Sequence, residues 1–157
     1  MKHPQYLIGL ESLAWIRPGT AIVRSPFQPA LIDKYLALSS HPESLLHLTL
    51  NASYLGRFDV VRYGMKHLTI PDIERIASIV AMNAAKLSDV DTFDLAIEYA
   101  DSATVTPLAL NGAINSEDEH MIHHVADVLA IPLDDVLELA IEMNNQNVIE
   151  MLNEAIP

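Results

Sequence analysis

A chain of 157 residues, half of them hydrophobic, is long enough to bury the core of one domain and too apolar to be a disordered tail. It has no cysteine, which excludes a disulfide framework, a zinc–thiolate site and a thiol nucleophile. Its formal charge of −12 is unevenly placed: residues 1–70 carry seven Lys/Arg against four Asp/Glu, a net of +3, and residues 71–157 carry two against seventeen, a net of −15.

In chain order, the first predicted helix covers 5–15. There Tyr6, Leu7, Leu10, Leu13 and Trp15 supply the apolar face of an N-terminal cap. This opening segment lacks the apolar core and small-residue cleavage site of a secretory signal. No later run reaches the ~20 apolar residues that span a bilayer. The expectation is a soluble, cytoplasmic protein with no membrane partner. Thr20, Ile22 and Val23, between Pro18 and Pro26, read as an extended linker.

From there apolar residues recur at three- and four-residue steps, as in Ile73, Ile76, Ala77, Val80, Ala81 and Ala84. They predict helices over 29–39, 43–53, 57–67, 71–86, 90–100, 106–114, 117–130, 132–143 and 146–156. Pro71, Pro107 and Pro132 are expected in first turns, where a missing amide proton costs nothing. Ser116 with Glu119 fits a capping box. Nothing alternates with period two for long enough to predict a sheet.

Four segments align to one another, opening at Asn51, Asn83, Asn111 and Leu139, with offsets of 32, 28 and 28 residues. A period of 20–50 residues marks stacked supersecondary units. Ala52, Ala84, Gly112 and Ala140 form a small column, which fits a close helix crossing inside each hairpin. Val61, Phe93, Met121 and Ile149 form an apolar column; Asp59, Asp91, Glu119 and Asn147 form a polar one near a helix N-terminus, where the dipole favours an acid. The hairpin breaks fall at Gly56, Ser88, Ser116 and Asn144.

Ala52-Ser53, Gly56, Asp59-Val60-Val61 and Tyr63, together with Thr106-Pro107-Leu108, resemble the pattern of a degenerate ankyrin repeat. The resemblance covers roughly residues 43–157. It implies an all-α, ankyrin-like helical-hairpin solenoid of about four recognisable hairpins. Residues 1–42 then form an N-terminal helical cap or a degenerate repeat, and the whole is a single domain. The links are short and proline-bearing and contain no Asp-Gly, so the projecting fingers of the family are expected to be reduced or absent; a generic helical-hairpin solenoid is the rival fold.

By that resemblance the chain is a protein-binding module and not an enzyme. Its candidate binding residues are Asp72, Glu74, Asp101, Thr104, Asp134, Asp135 and Glu138, which would complement a partner with a basic surface. An acidic mimic that occupies the nucleic-acid site of another protein is the alternative; direct nucleic-acid binding is not expected. A second alternative is a metal site at His120, His123 and His124, where i,i+4 spacing puts two histidines on one helix face. No cofactor is required by any motif. Met82, Met121, Met143 and Met151 are expected to fill gaps in the core. Exposure of Met151 and Leu152 would instead mark a homodimer surface on the C-terminal helix.

Overall fold

The computed structural model describes residues 26–39 and 41–157. The helix predicted over 5–15, its capping role and the linker at Thr20–Val23 lie outside those residues. Among the described residues every regular element is an α-helix: α1 (Pro29–Leu38), α2 (Ser44–Tyr54), α3 (Phe58–His67), α4 (Ile70–Lys86), α5 (Val90–Ile97), α6 (Ser102–Ser116), α7 (Glu119–Leu129), α8 (Leu133–Glu142) and α9 (Gln146–Ala155). The fold is all-α. No described helix is long and apolar enough to cross a membrane. The described residues form two compact units, one ending at Ile76 and the other covering Ala77–Pro157, whose boundary falls inside α4.

In the first unit α2 and α3 pack as a hairpin. Leu46, Leu48, Ala52, Val60, Val61 and Met65 are buried between them and their neighbours. Thr49 is fully buried too, and its hydroxyl donates to the Leu45 carbonyl at 2.7 Å, so the polar group is satisfied within its own helix. Gly64 lies against this threonine; a Cβ there would overlap Thr49 Oγ1 and sit 2.9 Å from Thr49 Cβ. The chain turns at Gly56, whose φ of 72° is the left-handed conformation that a Cβ disfavours. The Arg57 amide then donates back to the Ala52 carbonyl at 2.9 Å, closing the end of α2. On the outer surface Tyr63 donates to the Asp33 carboxylate of α1, which raises the tyrosine pKa.

In the second unit α6 pairs with α7, α8 pairs with α9, and α7 touches α8. Ser88, Glu117 and Asn144 take the left-handed turn position with φ of 59°, 54° and 56°, and Ala130 does so at 55° in the link from α7 to α8. The amides of Asp89, Ile131 and Asn145 donate back to the carbonyls of Ala84, Ala126 and Ala140 at 2.9, 2.8 and 3.0 Å. Each acceptor is a small buried residue. Helices α5, α7 and α9 open on side-chain caps. Asp89 accepts from Thr92 N, Asp118 from His120 N and Met121 N, and Asn145 from Val148 N.

Five sequence expectations are corrected here. The turn residue of the third hairpin is Glu117, not Ser116, and the cap of α7 is Asp118. Ser116 instead ends α6, donating to the Ala113 carbonyl and accepting from Asp118 N, so no Ser116–Glu119 capping box forms. Counted from the caps, Ala113 and Ile122 stand level with Ala84 and Phe93; the aligned columns were one residue out at Gly112 and Met121. Gly112 also serves a different crossing from the one expected. A Cβ on it would collide with the Met82 carbonyl and reach Ala85 Cβ at 3.3 Å, so its smallness admits α6 to α4, the first helix of the preceding hairpin. Finally, Pro107 lies inside α6, which starts at Ser102 behind the Asp101 cap.

Candidate functional site

From Leu87 to Pro157 the sequence holds fifteen Asp and Glu and neither Lys nor Arg. Carboxylates in that stretch therefore find no permanent cation within it; their partners there are amides, hydroxyls and histidines. Asp118 shows the consequence: the Ser88 hydroxyl and the amides of Met121 and His120 hold its carboxyl below the usual range, against partial desolvation.

The seven residues proposed for binding separate by role. Asp72 bonds Arg75 at 3.2 Å, and Arg75 reaches Glu43 at 2.8 Å, so Asp72 belongs to an exposed ion-pair cluster of the first unit. The Arg75 hydrogen bond and charge hold the Glu43 carboxyl below its ordinary pKa. Glu74 is exposed. Asp101 and Thr104 are engaged with each other: Asp101 Oδ2 accepts from Thr104 N at 3.0 Å and from Thr104 Oγ1 at 2.9 Å, as the N-cap of α6. Asp134, Asp135 and Glu138 are exposed on the first two turns of α8, whose N-cap, Pro132, makes no side-chain cap bond. These three form the continuous acidic patch. The first turns of α4 and α8 thus carry acids, and α6 is capped by one, at the positive end of a helix dipole, where they also stabilise the helix.

The histidines do not converge. His124 Nε2 contacts Asp94 Oδ1 at 2.7 Å, with its ring edge-on to Phe93 at 5.9 Å, and so joins α7 to α5. His123 lies 3.8 Å from Glu119, and His120 is exposed. Among the described residues no three ligating side chains gather in a geometry that holds a metal ion. Of the methionines, Met121 is fully buried, whereas Met82, Met143 and Met151 are half-buried. Leu152 is fully buried, which removes half of the exposed pair that would have marked a C-terminal dimer surface.

The sequence reading missed a cleft of about 260 Å³ at the tips of the last two hairpins, lined by Asn115, Glu117, Met143, Asn144, Asn145, Gln146 and Asn147. The signal was present as the run Asn144-Asn145-Gln146-Asn147, four amide side chains at one turn. Asn145 is structural: its oxygen caps Val148 N, and its nitrogen donates to the Ile114 carbonyl of the preceding hairpin at 3.3 Å. Asn147 donates to the Glu117 carboxylate at 2.9 Å, so the two hairpin tips are tied together beside the opening.

Compared with known proteins, the chain matches no family model, no curated protein and no solved structure.

Proposed function

We propose that this chain is an ankyrin-like stack of helical hairpins that binds a basic partner protein through the acidic surface of residues 77–157. The repeat reading is supported by recurrence at the level of single contacts. Asp33 and Tyr63 occupy the fifth and sixth positions after the caps Gln28 and Arg57; Asp94 and His124 occupy the fifth and sixth after Asp89 and Asp118. Both pairs bond, each across 30 residues. The links from α3 to α4, α5 to α6 and α7 to α8 are two, four and three residues long, too short for projecting fingers. Binding would therefore use helix starts and hairpin tips.

The observation that carries the functional reading is the absence of Lys and Arg over Leu87–Pro157 alongside fifteen carboxylates. A surface selected only for solubility tends to intersperse both signs. One sign alone over 71 residues is suited to steering and orienting a cationic partner, and it repels nucleic acid and anionic membranes. The test is capture of partners from the native host with the wild type and with the Asp134→Lys/Asp135→Lys/Glu138→Lys variant. A basic protein held by the wild type and lost with the variant, while the variant remains folded at the capture temperature, is the expected result. A partner held equally by both would overturn the assignment of the α8 patch.

The same charge pattern suits a mimic of a nucleic-acid backbone. That reading predicts that the captured partner releases bound DNA or RNA stoichiometrically on addition of this protein, which an adaptor does not require.

A further inference from the structure

We infer that the cleft at the tips of the last two hairpins receives an arginine guanidinium from a basic protein segment, an inference that rests on the acidic-surface reading above. The orientation of its amides carries the argument. Asn147 Nδ2 faces a Glu117 carboxylate oxygen at 2.9 Å, and Gln146 Nε2 faces a Glu150 carboxylate oxygen at 3.0 Å. A carboxylate only accepts, so neither amide can turn over, and each keeps its oxygen free for an incoming donor. Asn115 uses its nitrogen at the surface, on Asn111 Oδ1 at 3.0 Å, while the Asn111 nitrogen faces the Met143 sulfur at 3.9 Å. The cleft therefore offers amide oxygens of Asn115, Gln146 and Asn147, with the second oxygen of Glu117, to whatever enters.

An excess of acceptors selects among ligands. An anion is opposed by Glu117 and by the charge of the whole stretch from Leu87 onward. A neutral sugar could use the second N–H that each amide nitrogen keeps, but it gains nothing from Glu117 or from the negative charge of the stretch. A metal ion lacks a second carboxylate or a histidine among the lining residues. An ammonium group brings three donors around one point; a guanidinium brings five in a planar fork, which matches acceptors spread along an open cleft. The volume, about 260 Å³, accommodates that head group together with several waters at about 30 Å³ each. Met143 supplies an apolar wall for the methylene stem.

The experiment is a titration of the ¹⁵N-labelled protein with blocked peptides, one containing two arginines separated by glycine and one with citrulline in their place, plus a lysine peptide and free argininamide. Saturable shifts of the side-chain amides of Asn115, Gln146 and Asn147 with the arginine peptide, absent with citrulline and weakened at least fivefold in Glu117→Gln, are the expected outcome. Lysine binding as tight as arginine overturns the guanidinium assignment. Argininamide binding as tightly as the peptide overturns delivery by a protein segment. Equal response to arginine and citrulline, or shifts confined to α8, overturns the cleft altogether. The α8 reversal variant serves as the separate control: loss of peptide binding there with the cleft signals silent leaves the acidic-surface reading standing alone. The titration of unmutated protein decides the matter even where Glu117→Gln fails to fold.

Discussion

Two glycines show how much of this packing is decided by single atoms. Gly64 and Gly112 are helical, so neither is needed for its backbone freedom; each is present because a methyl group has nowhere to go. The obstacles differ in kind. At Gly64 the obstacle is the side chain of Thr49, and at Gly112 it is the backbone carbonyl of Met82. Gly64→Ala should therefore lose about 1–3 kcal/mol, the usual range for overpacking, and Thr49→Ala, which removes Oγ1 and Cγ2 but leaves Cβ, should recover part of it in the double variant. Gly112→Ala should lose at least as much, with no rescue by any side-chain truncation on α4. Chemical denaturation of the single and double variants measures both; additivity at Gly64 and Thr49 would contradict the described contact. Asp118 gives a residue-scale pH dependence. Its carboxyl is depressed in the fold, chiefly by the Ser88 hydroxyl, so the stability it contributes is complete above the unfolded pKa, near 4, and is lost as pH falls through the lower folded value. Asp118→Asn keeps a capping oxygen but does not titrate. Its melting temperature should fall less steeply than that of the wild type below about pH 4.

At the scale of elements, the helices were legible where periodicity and punctuation agreed. In α4 the apolar steps from Ile73 to Ala84 and Pro71 in the first turn point to the same start, and the element lies where expected. In α6 they disagreed. Pro107 suggested a start, yet Asp101 and Thr104 make a cap five residues earlier, and the helix runs through the proline. The third hairpin turn was misplaced for another reason. Ser116, Glu117 and Asp118 are all polar, and no propensity of glutamate announces a positive φ; burial of both Met121 and Ile122 behind the Asp118 cap decides the register. The acids of the candidate surface were legible as charge, but their engagement was not, because the Asp101–Thr104 and Asp72–Arg75 contacts depend on rotamers. Two gains in stability follow. Pro107 is exposed, and Pro107→Ala restores the amide that the Ala103 carbonyl lacks, so the variant should be more stable by about 1–3 kcal/mol. Ala130 is an exposed alanine in the left-handed region, and Ala130→Gly should add about 1 kcal/mol by removing its Cβ penalty. A lower melting temperature in either variant would mean that these local strains are already relieved by packing.

Across the whole molecule the uneven charge makes folding and binding respond to salt in opposite directions. Repulsion among fifteen carboxylates with no Lys or Arg between Leu87 and Pro157 weakens the folded state most when screening is weak. The screening length falls from about 30 Å at 0.01 M salt to about 8 Å at 0.15 M, so exposed carboxylates one or two helices apart stop sensing one another over that range. The melting temperature should rise by roughly 2–5 °C between 10 and 300 mM sodium chloride, a shift of order 1 kcal/mol. The Asp134→Lys/Asp135→Lys/Glu138→Lys variant carries a net charge of −6 in place of −12, since each reversal adds two, and its rise should be smaller. That comparison separates screening from the general strengthening of apolar burial by salt, which affects both proteins alike. Affinity for a cationic partner should move the other way, falling over the same salt range, mainly through a slower association rate. A melting temperature indifferent to salt in the wild type, or an equal rise in both proteins, would show that the carboxylates do not repel one another appreciably. The acidic surface would then be a solvated coat, and the case for a basic partner would lose its physical basis.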